Sequence, residues 1–326
     1  MPKINMVQAL NMALDQEMKN DDSVVMLGQD IGVNGGVFRV TDGLYEKYGE
    51  GRVIDTPLAE SGILGTSIGM AIAGLRPVAE MQFSGFSYLM MGQLEGHAGR
   101  FRGRTQGAIG LPLVVRMPYG GGVRALEHHS ESHEATFAHI PGVKVVISST
   151  PSNARALLTA AIRDPDPVVF MEPKRSYRAF REEVDDAEQT MEIGKAQVVQ
   201  TGDDLTVVSW GAMMRPTLQA VEEVREKRGL NIEVIDLLTI SPMDADTIVG
   251  SVEKTGRCVI VQEAPQSFSP ASEVIATIND RTLLYLEAPV KRVCGFDITA
   301  PYFGRELGYI PTPGRIRRAI EQTIDY

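Results

Sequence analysis

The sequence predicts an α/β protein made of two domains, each with a mainly parallel sheet covered by helices. The chain has 326 residues, which is more than the ~100–200 residues of one typical domain. Short apolar runs alternate with helical stretches, as in parallel sheets whose strands are joined by helices. A polar, acid-rich stretch without apolar periodicity interrupts this alternation. We therefore predict one domain over 1–180, a linker over 181–194 and a second domain over 195–326.

In the first domain, local signals mark where helices begin. Asn5 and Gln8 form a capping-box pair before the first helix. Thr150 and Pro151 supply the N-cap and first-turn proline of another. Apolar runs predict strands at 24–27, 76–83, 111–117, 143–148 and 168–172. Helical patterns predict helices at 5–18, 61–73, 88–101 and 153–163.

The second domain repeats the alternation. The predicted strands are 205–209, 232–235, 258–262 and 290–294, with helices over 217–227, after Ser241-Pro242, and over 271–278. The two cysteines, Cys258 and Cys294, lie in predicted buried strands. Because two cysteines cannot supply the disulfide framework of a secreted protein, we expect a reducing, cytoplasmic setting.

Charge and hydropathy argue against two classes of partner. There are 32 basic and 42 acidic residues, a formal net charge of −10, which is the wrong sign for binding a phosphate backbone. No stretch approaches the ~20 apolar residues that span a bilayer, and charged residues interrupt the N-terminal segment early. We expect neither nucleic acid nor a membrane as a partner, and no export.

Glu60 is the first candidate for chemistry. It stands between a predicted strand and a helix rich in small residues, and ligands of open α/β sheets gather at the carboxyl ends of strands. Its apolar neighbours Leu58, Ala59 and Ile63 would partly desolvate the carboxyl group and suit it to proton exchange. The alternative is a glutamate held at a helix start by the helix dipole alone.

Histidines are the second candidate. Three of the five lie in the segment 127–133, after a glycine-rich stretch. The segment is not a zinc motif of the H-E-x-x-H type, because Ser130 stands where that motif has glutamate and no cysteine is near in sequence. The remaining interpretations are a histidine acid, since imidazole titrates near neutrality, and ordinary loop histidines.

An ordered set of sequence motifs covers nearly the whole chain. The motifs are the segments 27–30, 35–43, 55–62, 73–83, 118–122, 129–131, 138–142, 164–174 and 236–244. Each motif is weak alone, but the set is specific in its order, and it resembles the β-subunit of the decarboxylating component of 2-oxo acid dehydrogenase complexes.

The resemblance implies a transketolase-like fold, in which an N-terminal pyrimidine-binding domain precedes a transketolase C-terminal domain. It also implies an α2β2 heterotetramer in which thiamine diphosphate is shared with an α-subunit. In this family the α-subunit holds magnesium and the diphosphate through a G-D-G…N-N motif. Here Gly202 and Asp203 are followed by Asp204, and Asn231 has no second asparagine beside it, so this segment predicts a turn.

The resemblance also assigns roles to single residues. Glu60 is the acid that hydrogen-bonds the aminopyrimidine ring and allows the cofactor to be activated. Leu58, Gln82 and Phe86 line the pocket of that ring, although Phe86 would be a core residue in most proteins. His129 is the histidine that donates a proton while the acyl group passes to a lipoyl group, and the adjacent His128 is a competing candidate.

Some members of the family also hold a structural potassium ion. The matching positions are Leu113, Ala161, Asp164 and Asp166. Ordinary turn chemistry of the Asp-Pro-Asp-Pro segment at 164–167 explains these residues equally without an ion.

The predicted function is therefore decarboxylation of pyruvate or a branched-chain 2-oxo acid, with acyl transfer to the lipoyl domain of a dihydrolipoyl acyltransferase. One alternative is a self-sufficient transketolase-type enzyme, which the absent diphosphate motif disfavours. The other is a non-catalytic assembly subunit that docks the acyltransferase core. Glu60 and His129, both in register with the family motifs, argue against that second alternative.

Overall fold

In the computed structural model, which describes residues 2–185 and 187–326, the chain forms two units, each built around its own sheet. The first unit comprises the segment up to Tyr119 together with Thr136–Ile193. The second comprises Gly120–Ala135 and Gly194–Tyr326. The predicted α/β class is confirmed.

The strands up to residue 193 are short and mostly buried. They are β1 (Lys3–Ile4), β2 (Val24–Gly28), β3 (Val53–Asp55), β4 (Arg76–Glu80), β5 (Val114–Tyr119), β6 (Lys144–Ile147), β7 (Val168–Pro173) and β8 (Glu182–Glu183). The helices are α1 (Met6–Asn20), α2 (Leu44–Tyr48), α3 (Glu60–Ile72), α4 (Met91–Gln93), α5 (Phe101–Arg104), α6 (Glu134–Ala138) and α7 (Pro151–Arg163).

The sheet of the first unit is parallel, as predicted. Its strands run in the order β6, β7, β5, β4, β2, β3. Helices α1 and α7 pack against each other. Helix α1 begins at the predicted capping box of Asn5, and α7 begins at the predicted N-cap Thr150, where the structure adds a capping box with Asn153. Strand β8 pairs with β1, so the predicted linker contains two residues of sheet.

The helix predicted over 88–101 is wrong as a single element. The chain instead forms a 3₁₀ segment at Ser84–Met90, the short α4, a π-helical turn at Leu94–Ala98, and then α5. Glycines recur through this stretch, at positions 85, 92, 96 and 99. Each glycine costs about 1 kcal/mol of helix propensity relative to alanine, so the apolar periodicity is not enough to keep one regular helix.

The second unit has its own parallel sheet with one antiparallel edge strand. The strands after residue 194 are β9 (Gln197–Gln200), β10 (Leu205–Ser209), β11 (Ile232–Asp236), β12 (Thr239–Ser241), β13 (Cys258–Pro265) and β14 (Lys291–Gly295), and all but β12 belong to this sheet. Its helices are α8 (Met214–Arg228), α9 (Ala245–Thr255), α10 (Pro270–Thr282), α11 (Glu306–Tyr309) and α12 (Pro313–Ile324). The sheet order is β14, β13, β10, β11, β9, and only β9 runs antiparallel to its neighbour.

Both cysteines lie in buried strands of this sheet, as predicted. Cys258 opens β13, Cys294 lies in β14, and both thiols are free. Burial raises the pKa of each thiol to about 12. Because the thiolate is the reactive form, these cysteines are chemically inert at neutral pH.

A buried ionic cluster joins three neighbouring strands of the first unit. Arg116 of β5 donates to Glu172 of β7 at 2.7 and 2.8 Å, and it also pairs with Glu80 at the end of β4. The Tyr177 hydroxyl donates to Glu172 at 2.5 Å. Burial raises the pKa of the Glu80 carboxyl, and the Arg116 charge opposes that effect. The one guanidinium therefore compensates two buried carboxyl groups.

Replacing Arg116 with methionine should lower the free energy of unfolding by about 3–5 kcal/mol, because the two carboxyl groups would stay buried without a cation. Urea denaturation at neutral pH measures this loss. Arg100→Met is the matched control, since the Arg100 side chain is 59% exposed and pairs only loosely with Glu95, at 3.6 Å. That variant should stay within about 0.5 kcal/mol of the parent, and an equally small loss for Arg116→Met would contradict the proposed role of the cluster.

Candidate functional site

Glu60 is the first residue of α3 and is almost completely buried. Its side chain lies at the point where the chain, having left β3 at Asp55, turns into the helix. The residue is 5% exposed, and Oε2 has no hydrogen-bond partner among the described residues. The helix dipole favours a negative charge at this position. However, burying a carboxylate oxygen without a hydrogen-bond donor lowers the stability of the fold. The geometry therefore favours a binding site in which a ligand supplies the missing donor to Oε2.

The segment that carries Phe86 packs beside the helix of Glu60. The 3₁₀ segment Ser84–Met90 contacts α3. The Phe86 ring is half-buried and meets Phe83 edge to face, with the centroids 5.6 Å apart. The structure thus brings Glu60 and Phe86 onto neighbouring elements of the first unit.

Gln82 is held by a residue that the sequence analysis missed. Its amide Nε2 donates to the Asp30 carboxylate at 3.0 Å. Asp30 lies just after β2 and has a left-handed backbone, with φ 59°. The signal was present in the motif at 27–30, which places an acid beyond the carboxyl end of a strand. Leu58, in contrast, is 64% exposed in this chain.

Asp55 ties the glycine-rich loop after β2 to the end of β3. Its carboxylate accepts the Gly32 N–H at 2.7 Å and the Val33 N–H at 3.3 Å. A Cβ atom at position 32 would lie 2.5 Å from the Asp55 carboxylate, so only glycine permits this approach. The loop is therefore fixed next to the strand ends from which Gln82 and Glu60 depart.

A row of aromatic rings connects Phe86 with the buried ionic cluster. Phe83 stacks edge to face on Phe38, with centroids 5.6 Å apart, and Phe38 contacts the ring of Tyr177 at 5.2 Å. Tyr177 in turn donates to Glu172. Tyr177 is buried and hydrogen-bonded within the ionic cluster, so the row of half-buried rings anchors Phe86 to the interior of the first unit.

His129 lies in the second unit, in a 3₁₀ turn at Glu127–His129. The turn is closed by the Ser130 N–H, which donates to the Glu127 carbonyl at 2.8 Å, and by the Ser130 hydroxyl, which donates to the Leu126 carbonyl at 3.0 Å. The rings of His128 and His129 are stacked at an angle of 49°, with centroids 4.3 Å apart. The two imidazoles are thus presented by one short turn.

Glu134 is a fully buried acid at the start of α6. Its Oε1 accepts a hydrogen bond from the Trp210 indole at 3.3 Å. Burial, assisted by the nearby charge of Glu263, raises the pKa of Glu134 to about 7. The carboxyl group therefore changes charge near neutrality.

The residues assigned to a potassium ion by resemblance all lie in the first unit: Leu113, Ala161, Asp164 and Asp166. The Asp164 carboxylate pairs with Lys144 at 2.6 Å, and Asp166 accepts from Arg102 at 2.5 Å. Since cations of this chain already compensate both carboxylates, the charges at this segment do not require a bound ion. The potassium site stays a prediction.

Other motifs have plain structural roles. Asp204 accepts the Asn231 N–H at 2.6 Å and closes the predicted turn before β10. Within 2–185 and 187–326, no group of three or more His, Cys, Asp or Glu side chains is arranged to hold a metal ion. Over the same residues, no helix has both the length and the apolarity to cross a membrane.

Two family models match the chain. The model described as the transketolase pyrimidine binding domain matches residues 2–179, and the model described as the transketolase C-terminal domain matches residues 194–316. The stretch predicted as a linker, 181–194, falls almost entirely between these ranges.

Relatives of known name match the chain over nearly its full length. A protein of Acholeplasma laidlawii named pyruvate dehydrogenase E1 component subunit beta is 51% identical over 98% of this chain and 97% of its own. Proteins of the same name from Bacillus subtilis (strain 168) and Staphylococcus aureus (strain Mu50 / ATCC 700699) are 48% and 46% identical, each over 100% of both chains.

A solved structure has the same fold. It is described as a split gene transketolase, inactive beta4 tetramer, and superimposes with a TM-score of 0.76 over 99% of both chains. Sequence identity to that protein is 21%, so the match concerns the fold alone. The predicted transketolase-like fold is confirmed.

The raised pKa of Glu134 should make the stability of the protein depend on pH. Between its ordinary value of 4.5 and about 7, the folded protein holds a proton that the unfolded chain has lost. The free energy of unfolding therefore falls as pH rises through this range, by roughly 3 kcal/mol. Glu134→Gln lacks this loss, so its stability relative to the parent should increase from pH 4 to pH 8 in urea titrations.

The exposed Glu226 supplies the control variant Glu226→Gln. A stability difference for Glu134→Gln that is independent of pH would show that Glu134 titrates normally.

Proposed function

Because this chain belongs to the family of pyruvate dehydrogenase E1 component β-subunits, with transketolase pyrimidine-binding and C-terminal domains, we propose that it takes part in thiamine-dependent oxidative decarboxylation of a 2-oxo acid. The names of the relatives favour pyruvate as the substrate, with a branched-chain 2-oxo acid as the alternative side chain. The acyl product would pass to the lipoyl domain of a dihydrolipoyl acyltransferase.

One observation supports this proposal above the others, namely the buried Glu60 carboxylate with Oε2 open to a donor. A purely structural subunit would gain nothing from burying a carboxylate oxygen that has no hydrogen-bond donor. A nitrogen-bearing ring with a donor group would satisfy this oxygen, and the aminopyrimidine of thiamine diphosphate has such a group. The residues present therefore fit the cofactor.

The chain's own residues would bind and orient that ring. Glu60 would hold and return a proton through Oε2. Phe86 would offer an apolar ring face, and Gln82, held by Asp30, would offer its amide oxygen. When bound, thiamine diphosphate supplies a thiazolium ring that serves as nucleophile and electron sink for decarboxylation.

His129 would act in the second half of the reaction. An imidazole can deliver a proton near neutral pH, and transfer of an acyl group to a lipoyl disulfide requires a proton at the sulfur that is released. We assign this proton to His129 rather than to His128, because His129 keeps the family spacing to the Pro141-Gly142 pair.

We further propose that an α-subunit completes the enzyme as an α2β2 heterotetramer. The segment Gly202–Asp204 lacks the diphosphate motif and forms a turn. Magnesium and the diphosphate would then be held by the α-subunit. A potassium ion at Asp164 and Asp166 stays a prediction from the resemblance, because Lys144 and Arg102 already compensate the two carboxylates.

Glu60 and His129 should separate in two assays of the enzyme assembled with its α-subunit. Glu60→Gln should lower pyruvate decarboxylation, followed with an artificial electron acceptor, by about 100-fold or more. His129→Ala should lower acylation of a lipoyl domain by about 100-fold and leave the artificial-acceptor rate within about twofold. His128→Ala is the matched control, because it removes the stacked neighbour and keeps His129.

The two assays also distinguish the alternatives. If both variants keep both rates, the chain is a non-catalytic assembly subunit. If His128→Ala behaves as expected for His129→Ala, the proton donor has been assigned to the wrong imidazole. Equal loss of both rates in His129→Ala would contradict the division of roles.

Purified without an α-subunit, the chain should not decarboxylate pyruvate even with thiamine diphosphate and magnesium present. The reason is that the segment Gly202–Asp204 lacks the motif that would bind the diphosphate. The measurement is carbon dioxide release, before and after addition of the α-subunit, which should restore it. Thiamine-dependent turnover by the isolated chain would instead support a self-sufficient transketolase-type enzyme.

A further inference from the structure

The segment that carries His129 is a closed loop with its own supports in the second unit. We call residues 120–131 the His129 loop. Its two ends are joined by the Gly120 N–H, which donates to the Glu131 carbonyl at 2.9 Å. Between these ends the loop has little regular structure beyond the turn at Glu127–His129. Its conformation must therefore be fixed by contacts with the body of the unit.

Glu306, the first residue of α11, provides two of these contacts. Its Oε1 accepts the Gly122 N–H at 2.7 Å and its Oε2 accepts the Arg124 N–H at 2.9 Å. The residue is 2% exposed. Hydrogen bonds from N–H groups to a buried carboxylate are among the stronger ones in proteins, so both oxygens of Glu306 hold the first half of the loop.

Two neighbouring groups support the same loop. Glu263 of β13 accepts the Gly121 N–H. The Glu127 carboxylate at the start of the histidine turn raises the pKa of the phenol of Tyr302, four residues before Glu306, so these two side chains lie near each other. The segment 302–306 thus lies beside both halves of the loop.

The glycines of the loop allow this close approach. At Gly120, with φ 79°, a Cβ atom would lie 2.8 Å from Glu263 Oε1. At Gly121 a Cβ atom would lie 2.8 Å from Glu306 Oε1 and 3.2 Å from Ile310 Cδ1. A side chain at either position would push the loop away from the Glu263 and Glu306 carboxylates. The two glycines are therefore what allows the loop to bind these carboxylates in its observed conformation.

We infer that Glu306 is a positioning residue for His129: its carboxylate fixes the loop through the Gly122 and Arg124 amides and thereby holds the imidazole where acyl transfer needs it. This inference rests on the proposed function only for the role of His129. The contact between Glu306 and the loop stands independently of that role.

Trypsin tests the contact without any activity assay. Arg124 is exposed and lies at the centre of the supported segment, with a left-handed backbone at φ 58°. Glu306→Gln replaces one acceptor oxygen with an NH₂ group that faces an N–H donor, so the loop should open more often. Cleavage after Arg124 in the full-length chain, followed by mass spectrometry of that one site, should be about 10-fold faster or more. The exposed-site variant Glu226→Gln should cleave at the parental rate.

A split between two rates tests the positioning role. In the enzyme assembled with its α-subunit, Glu306→Gln should lower lipoyl acylation at least 10-fold, while artificial-acceptor decarboxylation and the KM for pyruvate stay within about twofold. Glu306→Asp, which keeps the charge, should recover part of the acylation rate. General destabilisation would lower both rates together, and the melting temperature of each variant reports it separately.

Gly121→Ala provides a second variant if Glu306→Gln does not fold. Its backbone needs no left-handed conformation, so it should disturb the contact only through the new methyl group. Faster cleavage after Arg124 together with selective loss of acylation supports the inference. Parental cleavage in both variants overturns it and leaves the proposal for His129 standing. Faster cleavage with unchanged acylation overturns the positioning role of Glu306, and the His129→Ala assay decides separately whether His129 is the proton donor.

Discussion

The first unit depends on one guanidinium at the centre of its sheet. Arg116 holds the carboxyl groups that end β4 and project from β7, and the chain leaves β4 toward Gln82 and Phe86. A parallel sheet collects the carboxyl ends of its strands at one edge, and that edge needs charge compensation when acids are buried there. The satisfied ionic cluster gives the segment that carries Gln82 and Phe86 a rigid support.

The buried acids of this protein differ in how their oxygens are satisfied. Glu172 has a cation and a hydroxyl as partners, and Glu306 has two backbone amides; both are structural supports. Glu60 keeps an oxygen without a partner among the described residues. Glu134 accepts hydrogen bonds from its own backbone and from the Trp210 indole, but burial still raises its pKa to about 7. The pKa of Glu134 is therefore moved close to neutrality, and burial is the cause.

Sequence patterns predicted the elements whose signals are local. The strand 205–209, the capping box of α1 and the N-cap Thr150 of α7 are found as predicted. Helix α12 was missed, although Thr312 and Pro313 repeat the signal of Thr150 and Pro151. Periodicity failed over 88–101, because it measures apolar spacing and does not count the cost of glycines. Glu60 could be singled out by position and family motif, and the position of Asp30 after a strand offered the same signal, whereas Glu306 acts through contacts with residues more than 180 positions away that no local pattern records.

The two cysteines have a practical consequence for spectroscopy. Burial raises the thiol pKa of Cys258 and Cys294 to about 12, so the thiolate that maleimide or methanethiosulfonate reagents attack is scarce at pH 7. A fluorophore or spin label could therefore be attached to a single cysteine introduced on the surface, with both native cysteines left in place. Distances and motions of the loop around His129 would then be measurable in an otherwise unaltered protein.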